Sequence, residues 1–535
     1  MKSPFNAWLP KALIPLGVLI LLVPTLALSG VYPANSADLV GGLGTLSEYV
    51  MMANYASTIG MLCSYPLLLK VKGYWNSRTV LLLSYGATLV LSVLCAETTY
   101  PEVMVGASFL IGFFKMFAMI ELIIPIMFMI SSVGDRARFY AFFYPLSIGI
   151  GQGSAYVTAA ISYTYGWSYV YYVMVLATLV CLILTLLLYH NDPLEKRAPI
   201  QSIDGLSVVL LFSSLMLLNY VLCFAKYENW GESLTLQGAS FGFLLTLIGF
   251  IGRQNYLTHP FLDLSVMKSK NVRLALFLIL VMGIFFASSS LQSAITTGIL
   301  RYDALTSAKL NLWMLPGVLL GGIVCLVWFK YQGGFKGIIL LGFAAFTLYH
   351  LLLYFTVSPD MGLHDFYIPL VFKGLGLLLL YVGLGLYLAN KMTMVGMINS
   401  GALMILFRSF VGPALFSAVY AFGLYQGQQQ HLVNLAGKMD ALDPLVTSRY
   451  LAARQSGTSL GPEAAQMMGA RALLGSVQMQ AVLLTVKEWM GYIVLAGFAS
   501  MAFVSLRSFQ PVNKRKLVNL RRRWRRLEPI PYPIP

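Results

Sequence analysis

The chain has 535 residues, 58% of them hydrophobic and 10% charged, whereas a soluble domain carries roughly 25% charged residues. So few charges cannot cover the surface of a soluble protein of this length, which excludes a water-dissolved globule. The net charge of +16 lies largely in a C-terminal tail and in alternate connections, which argues against nucleic acid as a partner.

In chain order, apolar blocks fall at approximately 12–31, 46–69, 77–96, 101–131, 138–163, 167–189, 204–226, 235–252, 273–298, 306–329, 336–357, 366–389, 398–425 and 482–507, fourteen in all. Each is near the ~20 residues that a helix needs to cross a bilayer and well beyond the ~10 of a barrel strand. The pattern predicts helices that satisfy their own backbone in lipid, hence an all-α membrane protein. The first block follows Lys2 and Lys11 as a signal peptide would, and reads as an uncleaved first span. Cys63, Cys95, Cys181, Cys223 and Cys325 all lie within apolar blocks and form no CxxC pair, so they read as small packing residues.

Lys and Arg gather in every second connection. With a cytoplasmic N-terminus, the inside segments hold Lys70, Lys72, Arg78, Arg136, Arg138, Lys196, Arg197, Arg253, Lys268, Lys270, Lys330 and Lys391 among others. The outside segments hold only Lys226, Arg301, Lys309, Lys438, Arg449, Arg454 and Arg471. Both termini are therefore expected in the cytoplasm, in a multi-pass inner-membrane protein. The polar stretch 426–480 falls outside, with helix-like runs at Leu432 to Leu442 and Pro462 to Leu474. A connection of that length is usually functional or disordered. The tail after Arg507, with Arg521, Arg522, Arg523, Arg525 and Arg526 around Trp524, reads as an anchor on anionic lipid.

Several segments resemble the 14-span drug:proton antiporter branch of the major facilitator superfamily (EmrB/QacA type). Asp204-Gly205 opens the seventh span and Lys226-Tyr-Glu-Asn-Trp-Gly231 follows it. His259-Pro-Phe-Leu-Asp-Leu264 then leads through Lys268 and Lys270 into the ninth. Leu315-Pro316-Gly317 in the tenth span and Arg408 with Gly412-Pro413 in the thirteenth are similar to that branch's motifs. The resemblance implies two six-helix bundles with two extra spans between them: 1–200, the linker helices 201–258, 259–510 including the outside segment 426–480, and a basic tail 511–535. It also implies solute transport by alternating access, and an exporter that works with a periplasmic adaptor and an outer-membrane channel, for which 426–480 would be the docking surface. The cytoplasmic loop after the second span keeps Leu68 and Gly73 of the branch's gate motif but has Lys70 in place of its Asp. Ser108 stands where the branch has Arg, and the antiporter motif is reduced to Gly149, Gly151 and Gly153 without its Pro.

A charge at mid-bilayer is costly, so residues such as Glu121, Lys115, Lys373 and Arg408 are functional candidates by default. Glu121 is the one carboxylate expected deep in a span and is the candidate for proton coupling. A permanent ion pair with Lys115 or Lys373 is the structural alternative. Lys115, Lys373, Arg408, Gln292 and Asn54 are candidates for the substrate cavity, where an excess of cations would favour an anionic or zwitterionic solute. Small residues permit close helix approach, so Gly149, Gly151 and Gly153 are expected to pack at a seam between the bundles. The sequence holds no P-loop, no HExxH and no metal-ligand spacing among its five histidines. A transporter without cofactor or metal is expected rather than an enzyme. The expected activity is proton-coupled export of small amphipathic compounds. Export of an endogenous lipid, siderophore or metabolite is the alternative, and a non-transporting scaffold or sensor stands in a different class.

Overall fold

The computed structural model describes residues 5–509 except 7, 9, 11–12, 69–73, 131–135, 192–203, 259, 332, 391, 393 and 440–442. The gate-loop residues Lys70 and Gly73 and the basic tail lie outside the described residues. Within them the chain is helical throughout, and no strand occurs among the described residues.

The helices follow the apolar blocks in order. They are α1 (Ile14–Ala27), α2 (Ser36–Leu43), α3 (Ser47–Ser64), α4 (Ser77–Glu97), α5 (Pro101–Ile130), α6 (Arg136–Tyr165), α7 (Trp167–Leu188), α8 (Gly205–Phe224), α9 (Leu234–Tyr256) and α10 (Lys270–Ala287). There follow α11 (Ser289–Ser293), α12 (Ala304–Asn311), α13 (Met314–Lys330), α14 (Phe335–Thr356), α15 (Tyr367–Leu388), α16 (Met394–Ile405), α17 (Gly412–Ala436), α18 (Pro444–Ser456) and α19 (Pro462–Leu506). Single π-helical turns, Ala294–Ile299 and Leu406–Val411, interrupt two of the crossings.

Eleven helical segments among the described residues are long and apolar enough to cross a membrane, against the fourteen expected. The other three blocks are helical as well. Of these, α1 has only 14 residues. Helix α3 carries Glu48, Asn54 and Ser57, and α6 carries Arg136, Arg138 and five tyrosines. The last two pack against both halves of the molecule, so their polarity reflects protein neighbours rather than lipid.

Each half is closed by a reciprocal pair of glycines. Helices α3 and α5 cross so tightly that a Cβ on Gly60 would stand 2.0 Å from the Phe109 carbonyl oxygen, and one on Gly112 1.8 Å from that of Ser57. Helices α13 and α15 repeat the arrangement: a Cβ on Gly317 would lie 1.9 Å from the Val371 oxygen, and one on Gly374 2.2 Å from that of Met314. Lipid tails provide no hydrophobic force between helices, so such backbone-to-backbone contact is a main source of cohesion. The linker helices sit apart: α8 lies on α3, whereas α9 packs mainly on α8 and turns Phe241, Leu244, Leu245 and Ile248 outward.

The described residues of the segment 426–480 are more helical than their polarity implies. Helix α17 continues past the apolar block to Ala436, and α19 begins at Pro462 and runs for 45 residues. At 1.5 Å per residue that is roughly 68 Å, about twice a hydrocarbon core. Glutamines such as Gln428, Gln429 and Gln478 end the hydropathy signal without ending the helix, because Gln is a good helix former.

Where α8 begins, Asp204 caps the helix and holds Arg253 of α9 through two hydrogen bonds, from Nε at 2.7 Å and Nη2 at 2.8 Å. Arg253 and the Ser207 hydroxyl keep the Asp204 carboxyl well below the usual carboxylate range. A depressed carboxyl stabilises the fold above its unfolded pKa of about 4, and that contribution is lost as pH falls towards the folded value.

Two predictions follow from these contacts. Gly60→Leu or Gly317→Leu should cost at least the ~1–3 kcal/mol typical of overpacking, read as loss of monodisperse protein on size exclusion. Gly86→Leu, at a helix position whose Cβ meets nothing within 4 Å, should be tolerated. In thermal melts, the deficit of Asp204→Asn against wild type should stay constant from pH 8 to 5 and shrink below about pH 4; a deficit indifferent to acid would sink this account.

Candidate functional site between the two bundles

The boundary between the halves is built from tyrosines around one arginine. Arg408 lies in the π turn that precedes α17, where the altered helical register re-aims its side chain. Its Nη1 donates to the Tyr144 hydroxyl at 3.1 Å. The guanidinium carbon stands 4.6 Å from the Tyr381 ring centroid and 5.4 Å from that of Tyr144. Tyr144 meets Tyr381 edge-on at 5.6 Å, and Tyr140 follows Tyr144 one turn away at 5.3 Å. Tyr65 packs on Gly401 of α16, where an added Cβ would come within 2.7 Å of its hydroxyl. Tyr65, Tyr140 and Tyr144 come from the first half and Tyr381 and Arg408 from the second, so the cage spans the seam. The Arg408 Nε is buried and has no hydrogen-bond partner among the described residues.

A second polar group lies inside the C-terminal half. Lys373 on α15 donates from Nζ to Gln292 Oε1 at 2.8 Å and stands 5.3 Å from the Tyr349 ring centroid. The Tyr349 hydroxyl donates to the same oxygen at 3.0 Å, and Gln292 Nε2 donates to Asn311 Oδ1 at 2.9 Å. Beside it, His350 Nδ1 lies 2.8 Å from the Phe346 carbonyl and Nε2 2.8 Å from Ser288 Oγ. A carbonyl only accepts, so Nδ1 carries a proton, and in the neutral ring Nε2 accepts from Ser288. Protonation of the ring would turn the Ser288 hydroxyl towards the Phe285 carbonyl, 2.6 Å away.

Lys115 is half-buried and held by backbone. Its Nζ donates to the carbonyl oxygens of Leu26 and Leu28, at 2.9 and 2.6 Å. Helix α1 stops short of a full crossing there, and the chain continues through a non-helical stretch to the 3₁₀ turn Pro33–Asn35 and α2. Non-helical backbone at membrane depth requires protein partners, and Lys115 supplies two donors where the helix has run out of amides. Glu121 is buried and engaged. Neither ion pair weighed from the sequence, Glu121 with Lys115 or with Lys373, is formed. Among the described residues, Lys115, Lys373 and Arg408 have no carboxylate partner.

The remaining candidates are dispersed. Asn54 is half-buried on α3, away from the Lys373 group that holds Gln292. Gly149 faces Leu315 at ordinary contact distance, and Cβ atoms on Gly151 and Gly153 would meet nothing within 4 Å. The close approach between α6 and α13 comes from the opposite side, where a Cβ on Gly322 would lie 3.1 Å from Pro145 and 3.2 Å from the Ala141 oxygen. The tyrosine cage and the His350–Ser288 pair were not foreseen. Tyr140 and Tyr144, four apart, were the available signal, since that spacing places both on one helix face.

No protein-family model matches this sequence, and no curated protein is similar to it. Solved structures do share its fold. The nucleoside transporter NupG superposes with a TM-score of 0.53 at 13% identity, covering 92% of this chain and 99% of its own. An auto-inhibited POT family peptide transporter gives 0.53 at 15% identity, covering 94% and 99%. A bacterial homologue of the human drug peptide transporters PepT1 and PepT2 gives 0.52 at 14%, covering 92% and 97%. The chain has the fold of these multi-pass membrane transporters. They do not single out the drug:proton branch that the sequence motifs resemble.

Replacing Lys115 should expose the cost of an uncapped break. Lys115→Met leaves two buried carbonyls unpaired, each worth ~1–3 kcal/mol, so the melting temperature of the purified protein should fall by several degrees. An unchanged melt would show that the break is held by other contacts.

Proposed function

We propose that this chain is a proton-coupled secondary transporter that exports small amphipathic compounds bearing an anionic or zwitterionic group. In this reading the inner membrane is crossed fourteen times, with both termini in the cytoplasm. The observation that carries the proposal is the Arg408 cage: a guanidinium at the seam of the two halves, flanked by aromatic faces from both, with one donor still unpaired. Such a site offers charge-assisted hydrogen bonds to a carboxylate or phosphate and π-faces to an aromatic body. The cations Lys115 and Lys373 add positive potential from either side without neutralising carboxylates among the described residues. A lipophilic cation would enter against that field.

Alternating access follows from the cage's position. A solute that replaces Tyr144 as the partner of Arg408 loosens the contact tying the halves together, so binding and opening are coupled. Glu121 is the proton carrier in this reading, buried in the first half. In the same reading, a periplasmic adaptor docks on the helical extension of α17 and α19.

The proposal is tested in everted membrane vesicles that acidify their lumen. Anionic dyes should accumulate, uncoupling should abolish accumulation, and cationic dyes of similar size should not compete. Arg408→Gln should lower uptake ~10–100-fold, as expected for loss of a charged hydrogen bond of ~1.5–3 kcal/mol. Glu121→Gln should leave dye binding but remove its response to the proton gradient. Equal uptake of cations, or an unaffected Arg408→Gln, would overturn the anion assignment.

A further inference from the structure

A second site lies outside the seam, on the outer face. The π turn Ala294–Ile299, the extension of α17 and the extension of α19 border a half-open cavity of about 350 Å³. That is at the small end of ligand pockets, which run from ~300 to 1,000 Å³. Its polar lining is Arg301, Gln428, Gln429 and Gln478, and its apolar wall includes Leu432 and Met479.

Three features distinguish it from an incidental groove. Arg301, Gln429 and Gln478 are exposed and Gln428 half-buried, and none makes a hydrogen bond to a side chain or backbone group among the described residues, so one guanidinium and three amides border one solvent-accessible space. Arg301 adopts a left-handed backbone with φ of 55°, uncommon for a residue with a side chain. That geometry is fixed on both sides, by Leu300 N donating to the Ile295 oxygen at 2.9 Å and Tyr302 N to the Thr296 oxygen at 2.8 Å. Gly298 and Gly475 also line the space, and a Cβ on either would meet nothing within 4 Å. The room between the helices is kept open by the absence of side chains at two positions where side chains would fit.

We propose that this cavity binds a small amphipathic anion, with its carboxylate or phosphate on Arg301 and its apolar end against Leu432 and Met479. The guanidinium sets the sign of the charge. The amides, which both donate and accept, serve the remaining oxygens of the head group, and the wall accepts a short hydrocarbon tail. A ligand held there touches the outer ends of three crossings at once. It thereby favours the arrangement in which those ends are together. Occupancy requires no transport and no proton gradient, so the site stands or falls independently of the activity proposed for the seam.

The native cysteines provide a silent background for the test, since all five are buried. Gln478→Cys in the full chain, reconstituted in nanodiscs, places one reactive thiol at the cavity. Its rate of labelling by a membrane-impermeant maleimide is the readout, and Gln429→Cys serves as a second reporter on the opposing helix. Decanoate and decyl phosphate should each slow labelling at least fivefold, and decyltrimethylammonium should not. The protection should vanish when Arg301→Gln is added. Gly475→Trp should slow labelling without ligand and leave nothing further to protect. Absence of protection by both anions at both reporters overturns the site. Equal protection by the cation, or protection that survives Arg301→Gln, overturns the anion assignment and leaves only tail partitioning.

Discussion

Everything in this molecule rests on two places where helices meet backbone to backbone. At the crossings of α3 with α5 and of α13 with α15, carbonyl oxygens occupy the positions that side chains would otherwise fill. In water, burying leucines would hold such helices together; in lipid it gains little, because the tails are as apolar as the leucines. Close contact allowed by glycine replaces that force and fixes each half as a unit. Once the halves are units, the polar faces of α3 and α6 can meet the other half rather than lipid, and a seam exists on which a solute site can be built.

The deep cations, at the seam and within each half, have one-sided surroundings. Arg408 is balanced by ring faces, Lys373 by an amide oxygen and a ring, and Lys115 by two carbonyls. All of these partners are dipoles or quadrupoles. They lower the cost of burying a charge but leave its field in place, whereas a carboxylate would cancel it. In the proposed function, that remaining field is what an anionic solute would meet. The phenols also limit what can enter, because the faces that hold the guanidinium are those a flat apolar body would stack upon.

Much of the architecture was legible in the sequence, and the limits have identifiable causes. Apolar block length and cation placement depend only on local composition, so the helices fell where expected. Hydropathy failed at two places. It stopped too early at Gln428 and Gln429, where the helix continues, and it gave no warning that Tyr140 and Tyr144 of α6 meet protein while Tyr163 and Tyr165 stay exposed. The site was less legible. The backbone partners of Lys115 could not be read from the sequence, because the 87 and 89 residues between it and Leu28 and Leu26 hide a pairing that only the fold reveals. Gly149, Gly151 and Gly153 form a conspicuous motif, yet the tight contact is made by Gly322, in the Gly317–Gly322 run of the facing helix. Tyr381 sits in a leucine run and showed no sign of being a cage wall.

The capped break in the first crossing bears on how the protein is made. Helix α1 leaves the ribosome long before Lys115 does, and the carbonyls of Leu26 and Leu28 have no other side-chain donor among the described residues. Until the fourth crossing has been synthesised, the first cannot rest in lipid at that depth without unpaired polar groups. Its final insertion is thus tied to a residue translated nearly ninety positions later, so the opening segments must wait beside the translocon and enter the bilayer as a set.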